Sequence, residues 1–289
     1  MSIAPENGTV IAAHRRESLV RAEDTSLLRC LARGRALRLA CGDRVSFRRG
    51  ASGEGVIESI APRANEFARA AQHRRKVIAA NLTQVMIMVA CEPTWDDELV
   101  CRMLVAAEDA GLPAVLVLNK SDLTGLRDVA LARLAPFRGL GYPLVEIAAR
   151  RDAEPLRAYL AGQRTLLAGQ SGMGKSTLVG ALVPDAQVRI REISRYLDAG
   201  RQTTTTARLY SLDETSELVD SPGVSEFGLA GFSPQSLANG FREIAQRAGS
   251  CRFRDCRHLV EPGCAVDEAA ALGAIHPRRL ALYRQIARA

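Results

Sequence analysis

A glycine-rich segment in the second half of the chain carries residue types that bind phosphate. It fits the pattern G-x-x-x-x-G-K-[ST] with Gly169, Gln170, Ser171, Gly172, Met173, Gly174, Lys175, Ser176 and Thr177. In such a loop the backbone N–H groups wrap the phosphates, the lysine reaches the β- and γ-phosphates, and the first hydroxyl ligates Mg²⁺. The segment stands between the apolar run 166–168 and the helix-compatible run 176–182. This strand-to-helix context favours a phosphate loop over the alternative, a tight glycine-rich turn without a ligand.

A four-residue group, Asn119, Lys120, Ser121 and Asp122, follows the apolar run 113–118. The carboxyl ends of strands are where open α/β sheets bind ligands. The carboxylate of Asp122 can accept hydrogen bonds from the ring N–H and the exocyclic amine of guanine, and adenine lacks that amine. We interpret the group as a guanine-selecting motif, in which Asn119 assists the selection and the Lys120 stem packs on the base. Alone it also fits a surface loop, and a P-loop ATPase or nucleotide kinase is the remote alternative that Asp122 opposes.

Two segments downstream complete a nucleotide site. Residues 220–223 fit D-x-x-G, whose aspartate supports Mg²⁺ and whose glycine N–H faces the γ-phosphate. A hydroxyl from Thr203, Thr204 or Thr205 can complete the Mg²⁺ shell when the γ-phosphate is present, and a polar loop without this role is the equal alternative. The predicted reaction is in-line attack of water on the γ-phosphate of GTP, which produces GDP. The residues predicted to carry it are Lys175, Ser176, Asp220 and Gly223.

The order of the motifs along the chain differs from that of ordinary GTPases, because here the guanine motif precedes the phosphate loop. A circular permutation produces this order and keeps the sheet, since strand neighbours rather than chain order build the site. Ordinary small GTPases also carry a water-orienting glutamine just after the D-x-x-G glycine, where this chain has Val224. We therefore expect slow intrinsic turnover and a partner that positions the water or the switch.

A second chemical cluster lies near the C-terminus and consists of Cys251, Cys256, His258 and Cys264. Three thiolates and one imidazole at this spacing match a tetrahedral structural Zn²⁺ site, and buried free cysteines beside a surface histidine are the alternative. The N-terminus lacks a signal sequence, and no apolar run approaches the length of about 18 residues that spans a membrane. We expect a cytoplasmic protein without disulfides or membrane contact. The remaining cysteines are expected in the core: Cys30, Cys41, Cys91 and Cys101.

The hydrophobic pattern indicates two kinds of fold. Strand and helix signals alternate at 85–90, 97–110, 114–118, 127–136 and 144–147, which predicts an α/β domain with a parallel sheet. Before them, short strand-like pieces at 37–39, 44–47 and 55–60 are separated by glycine turns. Short strands with such turns suit a small barrel.

The net charge of +7 favours a polyanionic partner. The aromatic content is only 4%. Few aromatic residues argue against stacking many single-stranded bases, so recognition of folded RNA by shape and phosphates fits better. One basic cluster either faces a phosphate backbone or is simply solvated: Arg69, His73, Arg74, Arg75 and Lys76. A second set either contributes to RNA contact or solubilises the last helix: Arg278, Arg279, Arg284 and Arg288.

These motifs together resemble the circularly permuted ribosome-assembly GTPases called RsgA or YjeQ. The resemblance covers nearly the whole chain and rests on segments 80–81, 119–122, 169–177, 200–205, 220–224, 226–229 and 251–264. It implies an N-terminal OB-type β-barrel (residues 1–70), a circularly permuted α/β P-loop GTPase domain (71–230) and a helical zinc-binding C-terminal domain (231–289). It also implies action late in maturation of the small ribosomal subunit, with binding to its ribosomal RNA. We expect a monomer that uses GTP or GDP, Mg²⁺ and one structural Zn²⁺.

Three positions depart from the pattern that the resemblance leads us to expect. Gln202 stands where we expect histidine, and Ala148-Ala149 stand where we expect a Ser-Ala pair that contacts guanine mainly through a backbone N–H. No histidine follows Leu229, since the next residues are Ala230, Gly231 and Phe232. Two functions therefore remain open: a GTP hydrolase stimulated by the subunit, and a nucleotide-gated RNA-binding assembly factor with negligible hydrolysis.

Overall fold

The computed structural model describes residues 4–14, 17–34, 37–50, 53–71, 74–183, 185, 206–221, 227–229 and 231–288. Its strands are β1 (Glu6–His14), β2 (Glu17–Ala22), β3 (Leu27–Ala32), β4 (Arg44–Arg49), β5 (Gly55–Ile60), β6 (Glu66–Ala71), β7 (Arg74–Ala80), β8 (Gln84–Ala90), β9 (Ala114–Asn119), β10 (Leu144–Glu146), β11 (Arg164–Gly169), β12 (Arg208–Ser211) and β13 (Glu217–Asp220). Its α-helices are α1 (Asp97–Asp109), α2 (Thr124–Arg138), α3 (Arg157–Leu160), α4 (Lys175–Leu182), α5 (Pro234–Asn239), α6 (Arg242–Ala248), α7 (Ala265–Ala271) and α8 (Pro277–Arg288).

The first five strands form a closed barrel. They are hydrogen-bonded in the order β1-β2-β3-β5-β4, and β4 returns to β1. Strands β3 and β5 are parallel and the other neighbours are antiparallel, so the predicted OB-type barrel is confirmed. Val10, Val20, Phe47 and Ile57 fill its interior. The prediction of a strand at 37–39 was wrong, because this segment is irregular and its leucines pack against the barrel core from outside the sheet.

Strands β8 to β13 form the predicted α/β sheet. Their order is β10-β9-β8-β11-β13-β12, and every neighbouring pair is parallel except β12 with β13. All residues of β8 and β9 are buried, as is typical of central strands in a parallel sheet. The carboxyl ends of β8, β9 and β11 therefore meet at one edge, where the candidate nucleotide motifs follow.

The barrel and the α/β sheet are joined into one sheet of 11 strands. The join is between β1 and β12, where Ala12 lies opposite Arg208. The carboxylate of Glu217 on β13 strengthens this join, because the carboxylate pairs with Arg21 of β2 and, at 2.5 Å, with Arg164 of β11.

Strands β6 and β7 form a separate two-stranded ribbon that connects the barrel to β8. The basic cluster of the sequence lies on this ribbon, which the sequence pattern did not predict as strand. Arg69, Arg75 and Lys76 are described there, whereas His73 and the side chain of Arg74 lie outside the described part.

Helices α5 to α8 form the C-terminal part, and α8 is anchored by a buried arginine. Arg279 is 2% exposed and pairs with Glu243 at 2.7 Å. Its guanidinium also lies 4.5 Å from the ring centroid of Phe241 and 4.7 Å from that of Phe137. The expectation that Arg279 contacts RNA or solubilises the helix was therefore wrong: its charge is neutralised within the core.

Candidate nucleotide site and metal cluster

The phosphate loop runs from the end of β11 to the start of α4, and two of its glycines are required by close packing. Gly169 has φ +151°, and a Cβ there would lie 2.4 Å from the carbonyl oxygen of Met88. Gly174 has φ +97°, and a Cβ there would lie 2.3 Å from Nδ2 of Asn119. Residues with a side chain rarely adopt such φ values, and a side chain would have no room at either position. The sequence therefore needs glycine at both.

Lys175 is 6% exposed and its ammonium is held by the loop itself. Nζ donates to the carbonyl oxygens of Gly169 at 2.7 Å and Gln170 at 2.9 Å. Burial lowers the pKa of Lys175 to about 8, against the opposing effect of the Asp220 charge. Burial also raises the pKa of Asp220 to about 6, which Lys175 and Arg208 oppose. The loop thus encloses a cation beside a carboxylate, a charge arrangement suited to polyphosphate and a divalent metal.

Asn119 connects three motifs. It is 2% exposed at the end of β9. Its Nδ2 donates to the carbonyl oxygen of Met173 at 2.9 Å, and its Oδ1 accepts from the backbone N–H of Ala149 at 3.0 Å. The guanine motif, the phosphate loop and the Ala148-Ala149 segment are therefore fastened together, even though 54 residues separate Asn119 from Met173.

The other residues of the guanine motif are arranged around the next loop. Lys120 has φ +59°, and Ser121 donates through both its backbone N–H and its hydroxyl to the carbonyl oxygen of Ile147, each at 3.0 Å. Asp122 follows, and its carboxylate lies 3.5 Å from Nε of Arg151. The sequence did not predict that Arg151 lies beside Asp122. The one indication was that a basic residue stands shortly after Ala148-Ala149.

The segment that follows β8 lies against the phosphate loop. The side chain of Gln170 accepts from the backbone N–H of Asp96 at 2.9 Å, and a Cβ on Gly172 would lie 3.3 Å from Cγ of Pro93. Asp96 is also the N-cap of α1, so the hydrogen bond between Asp96 and Gln170 connects the start of α1 to the phosphate loop. Ser171 on the loop and Ser176 and Thr177 in the first turn of α4 are exposed.

The structure positions only part of the downstream motifs. Ser221 donates its hydroxyl to the carbonyl oxygen of Leu167 at 2.7 Å, which fixes the end of β13 and therefore Asp220 beside β11. Thr203, Thr204, Thr205, Gly223 and Val224 lie outside the described residues.

The C-terminal cluster brings the four predicted metal ligands together. The ligand atoms of Cys251, Cys256, His258 and Cys264 all lie within 4.8 Å of one another. Each thiol sulfur is 3.5 Å from Nδ1 of His258. Zn–S bonds of about 2.3 Å and a Zn–N bond of about 2.0 Å in a tetrahedron would put sulfur and nitrogen about 3.5 Å apart. The donor set and its spacing therefore fit zinc.

Of the four cysteines that were expected in the core, three are buried. Cys30, Cys41 and Cys101 are buried, whereas Cys91 is half-buried. Among the described residues, no helix is both long and apolar enough to span a membrane.

A parallel sheet with a phosphate loop, a guanine motif joined to that loop by Asn119, and the two motifs in permuted order define a circularly permuted P-loop GTPase. The chain belongs to the RsgA GTPase family, whose sequence profile matches residues 60–230.

Comparison with known proteins gives the same family over nearly the full length. The small ribosomal subunit biogenesis GTPase RsgA of Nitrosospira multiformis is 48% identical across 98% of this chain and 90% of its own. The protein of the same name from Burkholderia pseudomallei strain K96243 is 46% identical across 96% of this chain and 90% of its own. The crystal structure of YjeQ from Thermotoga maritima superimposes with a TM-score of 0.75 and 31% identity, across 99% of this chain and 98% of that one.

Proposed function

We propose that this protein hydrolyses GTP and acts in late maturation of the small ribosomal subunit. The observation that carries the proposal is the hydrogen bond from Nδ2 of Asn119 to the carbonyl oxygen of Met173, which joins a guanine motif to a phosphate loop, while Oδ1 of Asn119 accepts from the backbone N–H of Ala149. The relatives named small ribosomal subunit biogenesis GTPase RsgA support the biological role.

In this proposal two groups of residues bind the nucleotide. Asn119, Lys120, Ser121 and Asp122 select and hold guanine, and Asp122 accepts from its ring N–H and amine. The phosphates are held by Gly169, Gln170, Ser171, Gly172, Met173, Gly174, Lys175, Ser176 and Thr177, with Thr204 or Thr205 closing over the γ-phosphate.

Lys175 would supply a buried positive charge to the reaction. Its Nζ now lies on the carbonyl oxygens of Gly169 and Gln170, so it would exchange these acceptors for phosphate oxygens. Charge that develops during attack of water then meets a buried cation rather than solvent. The backbone N–H of Gly223 would contact the γ-phosphate. Bound Mg²⁺ would neutralise phosphate charge, with Ser176 and a threonine hydroxyl as ligands and Asp220 in support.

The C-terminal cluster would hold one structural Zn²⁺ through Cys251, Cys256, His258 and Cys264. Three thiolates and an imidazole leave no open position, so the metal would stabilise the fold and would not take part in hydrolysis. We also propose the domain limits 1–70, 71–230 and 231–289. The boundary between residues 70 and 71 falls within the β6–β7 ribbon.

The proposed partner is the small ribosomal subunit through its ribosomal RNA, which a net charge of +7 favours. The protein would act as a cytoplasmic monomer. Because Val224 cannot orient water, hydrolysis would be slow until the subunit binds.

A second function, a nucleotide-gated assembly factor with negligible hydrolysis, is favoured by one feature. Neither Val224 nor the segment Ala230, Gly231 and Phe232 offers a side chain that can activate water. Such a protein would still bind GTP, GDP and RNA.

GTP hydrolysis at saturating GTP, with and without purified small subunits, separates the two functions. The matched blank is Lys175→Ala, which removes the phosphate-binding cation. Stimulation that the variant lacks is expected for a hydrolase. Intact binding of nucleotide and subunit without stimulation would favour the gated factor.

A further inference from the structure

The carboxylate of Glu261 organises a short loop inside the C-terminal metal cluster. Its Oε1 accepts a hydrogen bond from the backbone N–H of Arg257 at 3.0 Å. Its Oε2 accepts from the backbone N–H groups of Leu259 at 2.8 Å and Val260 at 3.1 Å. These donors stand on both sides of His258, so one side chain fixes the backbone that presents this imidazole.

The backbone of His258 needs such support. His258 has φ +60°, a left-handed conformation that residues with a side chain seldom adopt and that persists only where the surroundings enforce it. The imidazole is 2% exposed, and its Nδ1 faces the three thiol sulfurs of the cluster. A loop that relaxed to an ordinary backbone conformation would turn this nitrogen away from the thiols.

The carbonyl groups of the same loop are held by α8. The hydroxyl of Tyr283 donates to the carbonyl oxygen of Arg257 at 2.7 Å, and Nε of Arg284 donates to that of His258 at 3.2 Å. Arg284 is itself paired with Asp267 of α7. The N–H groups of the loop therefore bond to Glu261 and its carbonyl groups bond to α8, and none of these bonds uses a thiol or a ring nitrogen.

The two ends of the cluster are also joined through the backbone. The N–H of Arg252 donates to the carbonyl oxygen of Gly263 at 3.0 Å, which brings the residue after Cys251 beside the residue before Cys264. Gly263 has φ +69°, and a Cβ there would lie 3.0 Å from Cβ of Arg252. The first and the last ligand are thus brought together by contacts that do not depend on a metal ion.

The hydrogen bonds explain why a carboxylate is required at position 261. Burial raises the pKa of Glu261, but hydrogen bonds from backbone N–H groups outweigh burial and lower the pKa to about 2. The side chain is therefore charged at neutral pH, and a charged acceptor binds N–H groups more strongly than a neutral one. Because both oxygens of Glu261 accept, glutamine would place its NH₂ group against the N–H of Arg257 or against those of Leu259 and Val260.

We propose that Glu261 is a positioning residue for the zinc site: its carboxylate shapes the loop around His258 before the metal binds, and thereby sets the affinity for Zn²⁺. This inference rests on the zinc site of the proposed function and adds the residue that forms it. Glu261 does not take a coordination position, because three thiolates and one imidazole complete a tetrahedron. Removing a partner that orients a metal ligand typically lowers metal affinity by about 10- to 100-fold.

Metal affinity is tested with Glu261→Gln against Glu268→Gln, both in the full-length protein. Glu268 is exposed on α7, so its variant removes the same charge from the same part of the chain at a position outside the loop. Competition with a chromophoric zinc chelator measures the affinity. We expect a fall of about 10- to 100-fold in Glu261→Gln and of less than about threefold in Glu268→Gln. Equal affinities of the two variants would overturn the proposal.

Co²⁺ in place of Zn²⁺ separates positioning from a change of ligands. The visible absorption of Co²⁺ depends on the donor atoms and on their geometry. At saturating Co²⁺, Glu261→Gln should show the wild-type spectrum because all four ligands remain, although more Co²⁺ is needed to reach it. A changed spectrum at saturation would overturn the positioning role, since Glu261 would then act on the ligand set itself.

Hydrogen exchange of the metal-free protein tests whether the loop is shaped before the metal binds. Below the unfolding transition, the amides of Arg257, Leu259 and Val260 should exchange slowly in the metal-free wild type and at least about tenfold faster in metal-free Glu261→Gln. Exchange in the metal-free wild type as fast as in an unfolded chain would overturn the proposal, because the metal would then shape the loop.

The same preparations distinguish failure of this proposal from failure of the proposed zinc site. A wild-type protein that binds no zinc would contradict the zinc site and the role of Glu261 with it. Zinc binding that Glu261→Gln leaves unchanged would contradict the role of Glu261 alone.

Discussion

The side-chain amide of Asn119 donates to the carbonyl oxygen of Met173 at 2.9 Å, and so joins the end of β9 to the phosphate loop. The same side chain accepts from Ala149. One buried residue therefore joins the segment that we propose binds the base to the segment that we propose binds the phosphates.

Asn119→Ala removes both bonds and leaves a buried carbonyl and a buried N–H unpaired. At about 1–3 kcal/mol for each unpaired buried group, the free site is expected to relax apart, and rebuilding it on binding would cost about 3 kcal/mol, or roughly a hundredfold in affinity for GDP. Titration with a fluorescent GDP analogue measures the change. Asn239→Ala, an exposed position at the end of α5, is the control. An Asn119→Ala affinity within threefold of the wild type would contradict the role of this connection.

Nucleotide affinity should fall as pH rises above 8. Burial lowers the pKa of Lys175 to about 8 in the free protein, and a bound triphosphate favours the charged ammonium and raises that pKa again. Between the two pKa values, binding must take up a proton, so affinity falls by up to about tenfold per pH unit. Titration calorimetry at pH 8.5 in buffers of different ionisation enthalpy counts that proton. No proton uptake would show that the lysine does not meet the phosphates.

Glu217→Gln should weaken the join between the barrel and the α/β sheet at neutral pH. Burial alone would raise the pKa of Glu217, but hydrogen bonds and charges from Arg21 and Arg164 lower it on balance. A lowered folded-state pKa stabilises above the unfolded pKa of about 4.3, and this stabilisation is lost as pH falls through the folded pKa.

We expect Glu217→Gln to cost about 2 kcal/mol at pH 7, or roughly 2–4 °C in Tm. The difference from the wild type should shrink below pH 4, as followed by thermal unfolding across pH. A difference that persists unchanged at acid pH would mean that the carboxylate charge is not its source.

Zinc removal should destabilise the helical C-terminal part. Cys256→Ser takes away one of four ligands, so elemental analysis should find about one zinc per wild-type chain and much less in the variant, with an additional low-temperature unfolding transition. The matched control is Cys91→Ser, because Cys91 is half-buried outside the cluster. Normal unfolding of the metal-free wild type would contradict a structural role.

The sequence was most informative where chemistry prescribes the residue. The phosphate loop needs glycine at positions 169 and 174, because the Met88 carbonyl and the Asn119 amide occupy the space of a side chain. Cys251 to Cys264 follow the spacing of metal ligands. The alternation of strands and helices also predicted the α/β sheet, since each buried strand is a continuous apolar run.

Contacts between distant segments could not be predicted in the same way. Arg279 was expected at the surface because arginine usually is, but Glu243 neutralises it 36 residues away. The pairing of Ala70 with Gly228 likewise leaves no local pattern, and two small residues give no signal of what they touch. The failed strand at 37–39 shows the same limit: Leu37 and Leu39 are half-buried and pack against the barrel core, but packing of this kind does not require a strand.

The pairing of β1 with β12 also gives the barrel a protective role. Without β1, strand β12 would be the outer strand of the α/β sheet, with unpaired N–H and C=O groups that invite another chain. A fragment that lacks the barrel would therefore be prone to self-association, however intact its nucleotide pocket. The N-terminal strands thus cover an edge of the α/β sheet that would otherwise be open to pairing with another strand.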